Sequence, residues 1–293
     1  MVGCWRIMSL KIASFILALV TGLSVIVASL AAGAQTAAVP DKIETIAGLQ
    51  VALWLPPAAP SASPLVLFSH GFGGCKTQSS YLMRALSNRG ILVAAPDHKD
   101  NRCEKLDLPK NIADLPPLTD SVLSDRRNDL FALKKGLLDH PTLASSIDPT
   151  RIALVGHSLG GYTVLALAGA RPDSKMNGIT GVIALGPYTE LFRVSGTPES
   201  IFAPVLFEVG DEDHIAGDSK EFYSKVPSPA CQVTLTGADH FAWVDRDALP
   251  SGPKKSDFRS DTITAAVAFL DDIFAKRLPP TIRTSASVKA ECK

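Results

Sequence analysis

Net charge is the first thing this sequence lacks. Its 29 lysines and arginines are matched by 29 aspartates and glutamates, so no summed field draws a polyanion, and no nucleic-acid partner is expected. Cysteine is scarce, at five in 293 residues. None of the five stands in a C-x-x-C pair or beside histidines at ligand spacing, which argues against zinc, and no metal site is expected. The glycine-rich runs lack the Gly-Lys-Ser/Thr ending of a phosphate-cradling loop. No internal repeat is present, and no composition break marks a second folded domain.

What the chain does have begins with one apolar run, Ile12 to Ala32, behind the isolated charges of Arg6 and Lys11. It reads as an export signal over residues 1–34, with Ala32-Gly33-Ala34 before Gln35 as the processing site. Met8 is an alternative start. A retained membrane anchor is the competing reading, because the run is long enough to cross a bilayer about 30 Å thick. If the signal is cleaved, the product is exported, periplasmic or secreted, with no stable membrane insertion. No cysteine follows the run, so a lipid-modified N-terminus is not expected. Cys75, Cys103, Cys231 and Cys292 then form an even set in a disulfide-permissive compartment. Cys75 and Cys103 each lie shortly after successive predicted strands, which favours their pairing and leaves Cys231 with Cys292; four free thiols are the alternative.

From residue 35 to 293 the pattern is that of one α/β domain. Lys42 to Leu55 has the β-branched character of one or two edge strands. Continuous apolar runs follow at Leu65–Phe68 and Ile91–Ala95, the look of strands covered on both faces; Arg151–Val155 reads as another buried strand, and further strands are predicted at Gly181–Leu185, Pro204–Val209 and Cys231–Leu235. Helices are predicted between them at Ser80–Arg89, Asp120–Leu138 and Leu159–Ala170, with a last one over Asp261–Lys276 and a polar tail from about 279. Asn101–Thr119 is polar and proline-bearing and is predicted to be a long loop. Repeated strand-helix-strand order implies a mainly parallel sheet with helices on both faces and a site at the carboxyl ends of its strands. Only Gly186–Ala203 separates two of the strands where lipases insert a lid. No cap domain fits there, so no marked interfacial activation is expected.

The chemistry concentrates at those strand ends. Ser158 sits in Gly156-His157-Ser158-Leu159-Gly160, directly after one strand and before an apolar helix, the context of a nucleophile elbow. A serine hydroxyl is a weak nucleophile, so it needs a histidine base held by a carboxylate. His240, after the last parallel strand, stands where that base belongs. Gly210-Asp211-Glu212-Asp213 offers the acid; Asp213 is preferred, with Asp211 and then Glu212 as alternatives. Asp239 reads as a loop-capping residue. The Leu159 amide and one from Ser69-His70-Gly71-Phe72-Gly73-Gly74, with Phe72 ahead of Gly73, are candidates for an oxyanion hole. His70 and His157 read as packing or polar supports, and His98, His140 and His214 as loop residues. Trp243 is either an acyl-pocket wall or core.

Phe68-Ser69-His70-Gly71-Phe72-Gly73-Gly74, Ala94-Ala95-Pro96-Asp97-His98, and Ile147-Asp148-Pro149 leading into Gly156-His157-Ser158-Leu159-Gly160-Gly161-Tyr162 resemble the platelet-activating-factor acetylhydrolase and predicted dienelactone hydrolase branch of the α/β-hydrolases. The likeness runs from about Pro64 to Asp245. It implies an α/β-hydrolase fold and an esterase of short or modified acyl groups, or of lipid-like esters, that needs no cofactor. Related secreted enzymes of similar build attack polyesters, so a lipase-like or polyester-degrading hydrolase is the alternative. A non-catalytic binding protein on the same scaffold is the remote one. Dienelactone hydrolases use a cysteine where this chain has Ser158, which speaks against lactone-ring opening of that kind.

Overall fold

In the computed structural model, which describes residues 38–57, 62–101, 118–214, 216–245 and 255–293, the apolar runs assemble into one nine-stranded sheet. The expected signal segment, Cys103 and most of the predicted loop 101–119 lie outside the described residues. The strands are β1 (Lys42–Ile46), β2 (Leu49–Trp54), β3 (Ser63–Ser69), β4 (Leu92–Pro96), β5 (Ile147–His157), β6 (Gly181–Leu185), β7 (Val205–Gly210), β8 (Ala230–Leu235) and β9 (Val288–Cys292). Their spatial order is β1-β2-β4-β3-β5-β6-β7-β8-β9. The six strands from β4 to β8 run parallel, and antiparallel partners close both edges: β1 and β2 on one side, β9 on the other.

The helices are α1 (Ser80–Asn88), α2 (Asp120–Leu138), α3 (Leu159–Leu165), α4 (Ala216–Lys225) and α5 (Lys255–Phe274). They divide between the two faces of the sheet, and strand alternation feeds two cores. On β5, Ile152 and Leu154 face a core with Leu130, Leu133 and Leu137 of α2 and most of α3. Ala153 and Val155 face the other, with Leu82, Met83 and Leu86 of α1 and Ala266, Phe269 and Leu270 of α5. Burying both faces is what makes the central strands largely apolar. Among the described residues no helix is long and apolar enough to cross a membrane.

Three features differ from expectation. The helix expected over Leu159–Ala170 leaves α geometry after Leu165 and finishes as a π turn at Ala166–Ala170, where Gly169 takes a φ of 117° as the backbone passes close to Ser200. The α4 helix has no counterpart among the expected elements, because its inward face consists of little more than Phe222 and Tyr223. The segment from about 279 is not simply a tail: it returns as β9 along β8, with Cys231 opposite Cys292 and the two joined by a disulfide. Cys75 is disulfide-bonded as well.

The order β4-β3-β5 records a reversal. The chain steps outward from β3 to β4 and returns to the opposite side of β3 for β5. The loops leaving β3 and β5 therefore diverge at a switch point, where open sheets of this kind place their sites.

Candidate active site

Ser158 stands at that point. It links β5 to α3 in a turn so tight that its own φ is 55°, in the left-handed region where a side-chain-bearing residue is strained. The turn closes only because its neighbours lack side chains. A Cβ on Gly156 would run into the Gly160 backbone, and one on Gly160 into the carbonyl of Ser69. The Ser158 amide donates to the Leu185 carbonyl at 2.9 Å, fixing the turn to β6.

The loop after β8 brings His240 to this serine. Ser158 Oγ and His240 Nε2 are 2.8 Å apart, and His240 Nδ1 is 2.9 Å from Asp213 Oδ2. A carboxylate only accepts, so Nδ1 carries the proton and Nε2 presents its lone pair to the serine hydroxyl. Asp213 and His240 are buried, at 5% and 9% exposure, while Ser158 is partly exposed. Of the three carboxylates after β7, Asp213 is the one that reaches the His240 ring. Asp211 is turned to the Gly237 amide, 2.6 Å away, and Glu212 is exposed. Asp239 caps its own loop by accepting from the Phe241 amide at 2.9 Å. His214 is an exposed loop residue, 3.8 Å from Asp213 at its nearest nitrogen.

The loop after β3 carries the candidate second amide, and its peptide planes are fixed from behind. Gly71 O accepts from His70 Nδ1 at 2.7 Å, from the Gly74 amide at 3.0 Å and from Arg126 Nη2 at 3.1 Å. Because the C=O and N–H of a trans peptide point in opposite directions, holding the Gly71 carbonyl backwards turns the Phe72 N–H forwards. Arg126, fully buried on α2, also donates to the His70 carbonyl at 2.6 Å and engages both oxygens of Asp100, at 2.6 and 3.1 Å. Burial would push the Asp100 carboxyl up, but the guanidinium overrides it and holds it below its ordinary value.

His98, expected in a loop, is buried. It sits between Ser69 Oγ at 2.9 Å and Asp129 Oδ2 at 2.8 Å, directly beneath the glycine loop. Burial drives its imidazole well below the usual range and raises Asp129 to about 6. The pair is thus a neutral imidazole donating to a carboxylate rather than an ion pair. Together with His70, whose Nε2 accepts from the His98 amide at 3.1 Å, it makes a buried polar floor.

Trp243 is core rather than pocket wall. It is fully buried, its ring lying against Gly186 and 5.9 Å from that of His157. His157 supports the site as expected: Nε2 donates to the His240 carbonyl at 2.9 Å, and Nδ1 lies 2.8 Å from Gln78 Nε2. Between β6 and β7 the chain forms only two short turns, Thr189–Phe192 and Pro198–Ser200, and no inserted cap. Among the described residues no group of three His, Cys, Asp or Glu side chains is arranged to hold a metal ion.

Sequence reasoning passes over Gln78, Arg126 and Glu208. Arg126 has a signal, since it shares the inward stripe of Leu123, Leu130, Leu133 and Leu137. Gln78 has none, because its partners are distant in sequence.

Comparison with other proteins adds to this geometry. Residues 65–272 match the model of the Alpha/beta hydrolase family. The chain is similar to the cutinase est2 of Thermobifida alba, 30% identical over 183 residues that make up 60% of this chain and 52% of that protein. A cutinase of Thermobifida fusca is 29% identical over 188 residues, 60% of this chain and 52% of its own. The matched stretch thus spans about half the length of each cutinase. A platelet-activating factor acetylhydrolase of Gallus gallus is 26% identical over 144 residues, 35% of this chain and 34% of its own. Among solved structures, a ferulic acid esterase from Streptomyces cinnamoneus superposes with a TM-score of 0.65 over 83% of this chain and 88% of its own, at 19% identity, a likeness of fold.

Proposed function

Because the chain belongs to the Alpha/beta hydrolase family, we propose that it hydrolyses carboxylic esters through an acyl-enzyme on Ser158. The observation that carries this reading is the unbroken relay from Ser158 Oγ to His240 at 2.8 Å and from His240 to Asp213 at 2.9 Å.

The steps follow from the proton positions. His240 Nε2 takes the hydroxyl proton as Ser158 Oγ attacks the ester carbonyl, and the buried Asp213 carboxylate stabilises the imidazolium that forms. The carbonyl oxygen gains negative charge and is met by the Leu159 and Phe72 amides, which make no hydrogen bond with other described residues. Collapse expels the alcohol with the proton from His240. Water then repeats the sequence on the acyl-enzyme, returning the acid and the free serine. The first proton moves between groups already in hydrogen-bond contact, Ser158 Oγ and His240 Nε2, and no cofactor enters.

The absence of a cap between β6 and β7 favours a bulky ester presented at an open rim. The half-buried Phe72 lies on the glycine loop, and the partly exposed Phe241 follows His240 with its ring 5.6 Å from the imidazole. With the similarity to cutinases, this supports a polyester or surface-bound ester as a second reading within the same chemistry. Export through the apolar leader accords with such a substrate.

A fluorophosphonate probe tests the proposal. It should label Ser158, with loss of p-nitrophenyl acetate and butyrate hydrolysis in step with labelling and no label on Ser158→Ala. A wild-type protein that turns over no ester and takes up no probe sinks it. Rates on soluble short-chain esters set against polymer film separate the two substrate readings.

A further inference from the structure

Three loops must keep a common register for the chemistry above: the one carrying Phe72, the elbow carrying Ser158, and the one carrying His240. Two side chains in series, Gln78 and His157, link all three. The Gly71 amide donates to Gln78 Oε1 at 2.9 Å, Gln78 Nε2 lies 2.8 Å from His157 Nδ1, and His157 Nε2 lies 2.9 Å from the His240 carbonyl. Only one proton assignment satisfies the chain. A carbonyl oxygen accepts, so His157 Nε2 must carry the hydrogen. Its Nδ1 is then a bare lone pair that needs a donor, and the Gln78 amide group supplies it while its oxygen takes the Gly71 N–H. Burial, followed by the nearby charge of His240, lowers the His157 pKa to about 3, so it stays neutral wherever the site works.

Gln78 is itself anchored in the histidine loop. Its carbonyl accepts from the Asp245 amide at 2.9 Å, Ser79 Oγ donates to the Trp243 carbonyl at 2.7 Å, and the Ser80 amide and hydroxyl both donate to Asp245. The link is close-fitting, since a Cβ on Gly71 or Gly74 would meet the Gln78 amide.

We infer that Gln78 is a positioning residue for ester hydrolysis, its side-chain amide joining the oxyanion loop to the nucleophile elbow and, through His157, to the His240 loop. This rests on the reading of Ser158 as nucleophile. Gln78 touches no reacting atom. Its effect falls on kcat, because a displacement of about 1 Å among catalytic groups costs on the order of 100-fold in rate.

The test uses Gln78→Ala and Gln78→Glu beside the wild type and Ser158→Ala, assayed on one p-nitrophenyl ester from about pH 5.5 to 9, where the wild-type His157 ring stays neutral. Gln78→Ala should lower kcat about 10- to 100-fold with KM within about threefold. Only two hydrogen bonds are lost, so Tm should fall by less than about 10 °C and the variant stays folded at assay temperature. Gln78→Glu is the more discriminating variant. Its carboxylate can accept from Gly71 but faces the Nδ1 lone pair, so the link re-forms only when the carboxyl and His157 share an added proton. His240 and Asp213 are the other titratable groups around His157, and both are present in every protein compared. The ratio of Gln78→Glu to wild-type kcat should therefore fall at least about tenfold as pH rises. A ratio that stays at one while Gln78→Ala is impaired also supports the role, the protonated carboxyl replacing the amide donor for donor. Gln78→Ala with kcat within twofold of wild type overturns it. So does a Gln78→Glu ratio that is flat below one or rises with pH.

A second readout needs no activity. Long-range proton–nitrogen NMR should find wild-type His157 protonated at Nε2 and bare at Nδ1, with a proton appearing at Nδ1 in folded Gln78→Glu at neutral pH or that proton held on the carboxyl. If wild type shows no Ser158-dependent hydrolysis, the parent reading fails separately. The Gln78 assignment is then judged by this spectrum, in which an Nδ1-protonated wild-type His157 overturns it.

Discussion

Trp243, whose ring lies against Gly186, donates its indole N–H to Glu208 across 3.2 Å, and the Glu208 side chain has no exposure at all. Its other oxygen meets no well-formed partner among the described residues. Burial pushes the carboxyl from 4.5 up to about 8 against weaker opposition from Thr262 and Trp243, so near neutral pH it is mostly a neutral acid supporting the tryptophan behind the site.

The sign of the linked stability effect follows. The unfolded chain releases this proton near pH 4.5 and the folded one near 8, so the folded state holds the extra proton between them. Stability therefore falls as pH rises through that window and levels off above it. The Glu208→Gln change keeps an oxygen acceptor for Trp243 in a side chain that does not ionise. Going from about pH 5 to about pH 8.5, Glu208→Gln should gain on wild type by a few kcal/mol in urea unfolding, with kcat changed less than about threefold. Parallel stability curves for the two proteins would show that Glu208 does not titrate in this range.

The preference for Asp213 over its neighbours makes a sharper comparison. Asp213→Asn removes the charged acceptor for the Nδ1 proton of His240, and the amide that replaces it admits the wrong tautomer. This change should lower kcat by about four orders of magnitude, its size in hydrolases with such a relay. Asp211→Asn weakens only a bond to the Gly237 amide, and His214→Ala removes an exposed ring, so both should stay within about fivefold of wild type. Steady-state kinetics on one ester decide this, and comparable losses at 211 and 213 would overturn the assignment.

How far the sequence reveals such details depends on where a residue's partners lie. Buried parallel strands need apolar residues on both faces, so β3, β4, β6 and the middle of β5 announce themselves as continuous runs. A nucleophile elbow needs glycines at fixed places in a short stretch, and the order serine, acid, histidine follows from the order of the strands. In contrast, α4 carries mostly solvent-facing residues and gives little periodicity, while β9, with Lys289 and Glu291 exposed on an edge, resembles a tail. His98 reads as a loop residue until β4 is seen to end directly beneath the glycine loop. Gln78 and His157 are 79 positions apart, and no local pattern encodes a contact that only the sheet order creates.

Arg126 allows stability to be separated from placement. Arg126→Met leaves the Asp100 carboxylate, 9% exposed, without its partner, a loss of about 3–5 kcal/mol. It also takes Arg126's donors from the His70 and Gly71 carbonyls, so the 71–72 peptide loses one of the three donors that orient it. Adding Asp100→Asn removes the stranded charge and should recover at least about 1 kcal/mol. It cannot replace the lost donor, so kcat should remain at least about tenfold below wild type in both proteins. Thermal melts and kcat measured together test this, and recovery of kcat in step with stability would reduce Arg126 to a structural role.

The disulfide between Cys231 and Cys292 fixes β9 to the sheet across a sequence separation of 61 residues. Cross-links of this span stabilise by about 2–4 kcal/mol, largely by restricting the unfolded chain. Replacing both cysteines with alanine should therefore lower Tm by about 5–15 °C. The effect on catalysis is less obvious, because β8 ends at Leu235, only a few residues before His240. That loop has its own fastenings, however: Gly237 to Asp211, the His240 carbonyl to His157 and the His240 ring to Asp213. All lie at the carboxyl end of the strand, whereas the disulfide crosses near its start. The double variant should keep kcat within about twofold at about 25 °C despite its lower Tm. A large fall in kcat well below the melting transition would mean that the edge strand, rather than the loop's own bonds, holds His240 in place.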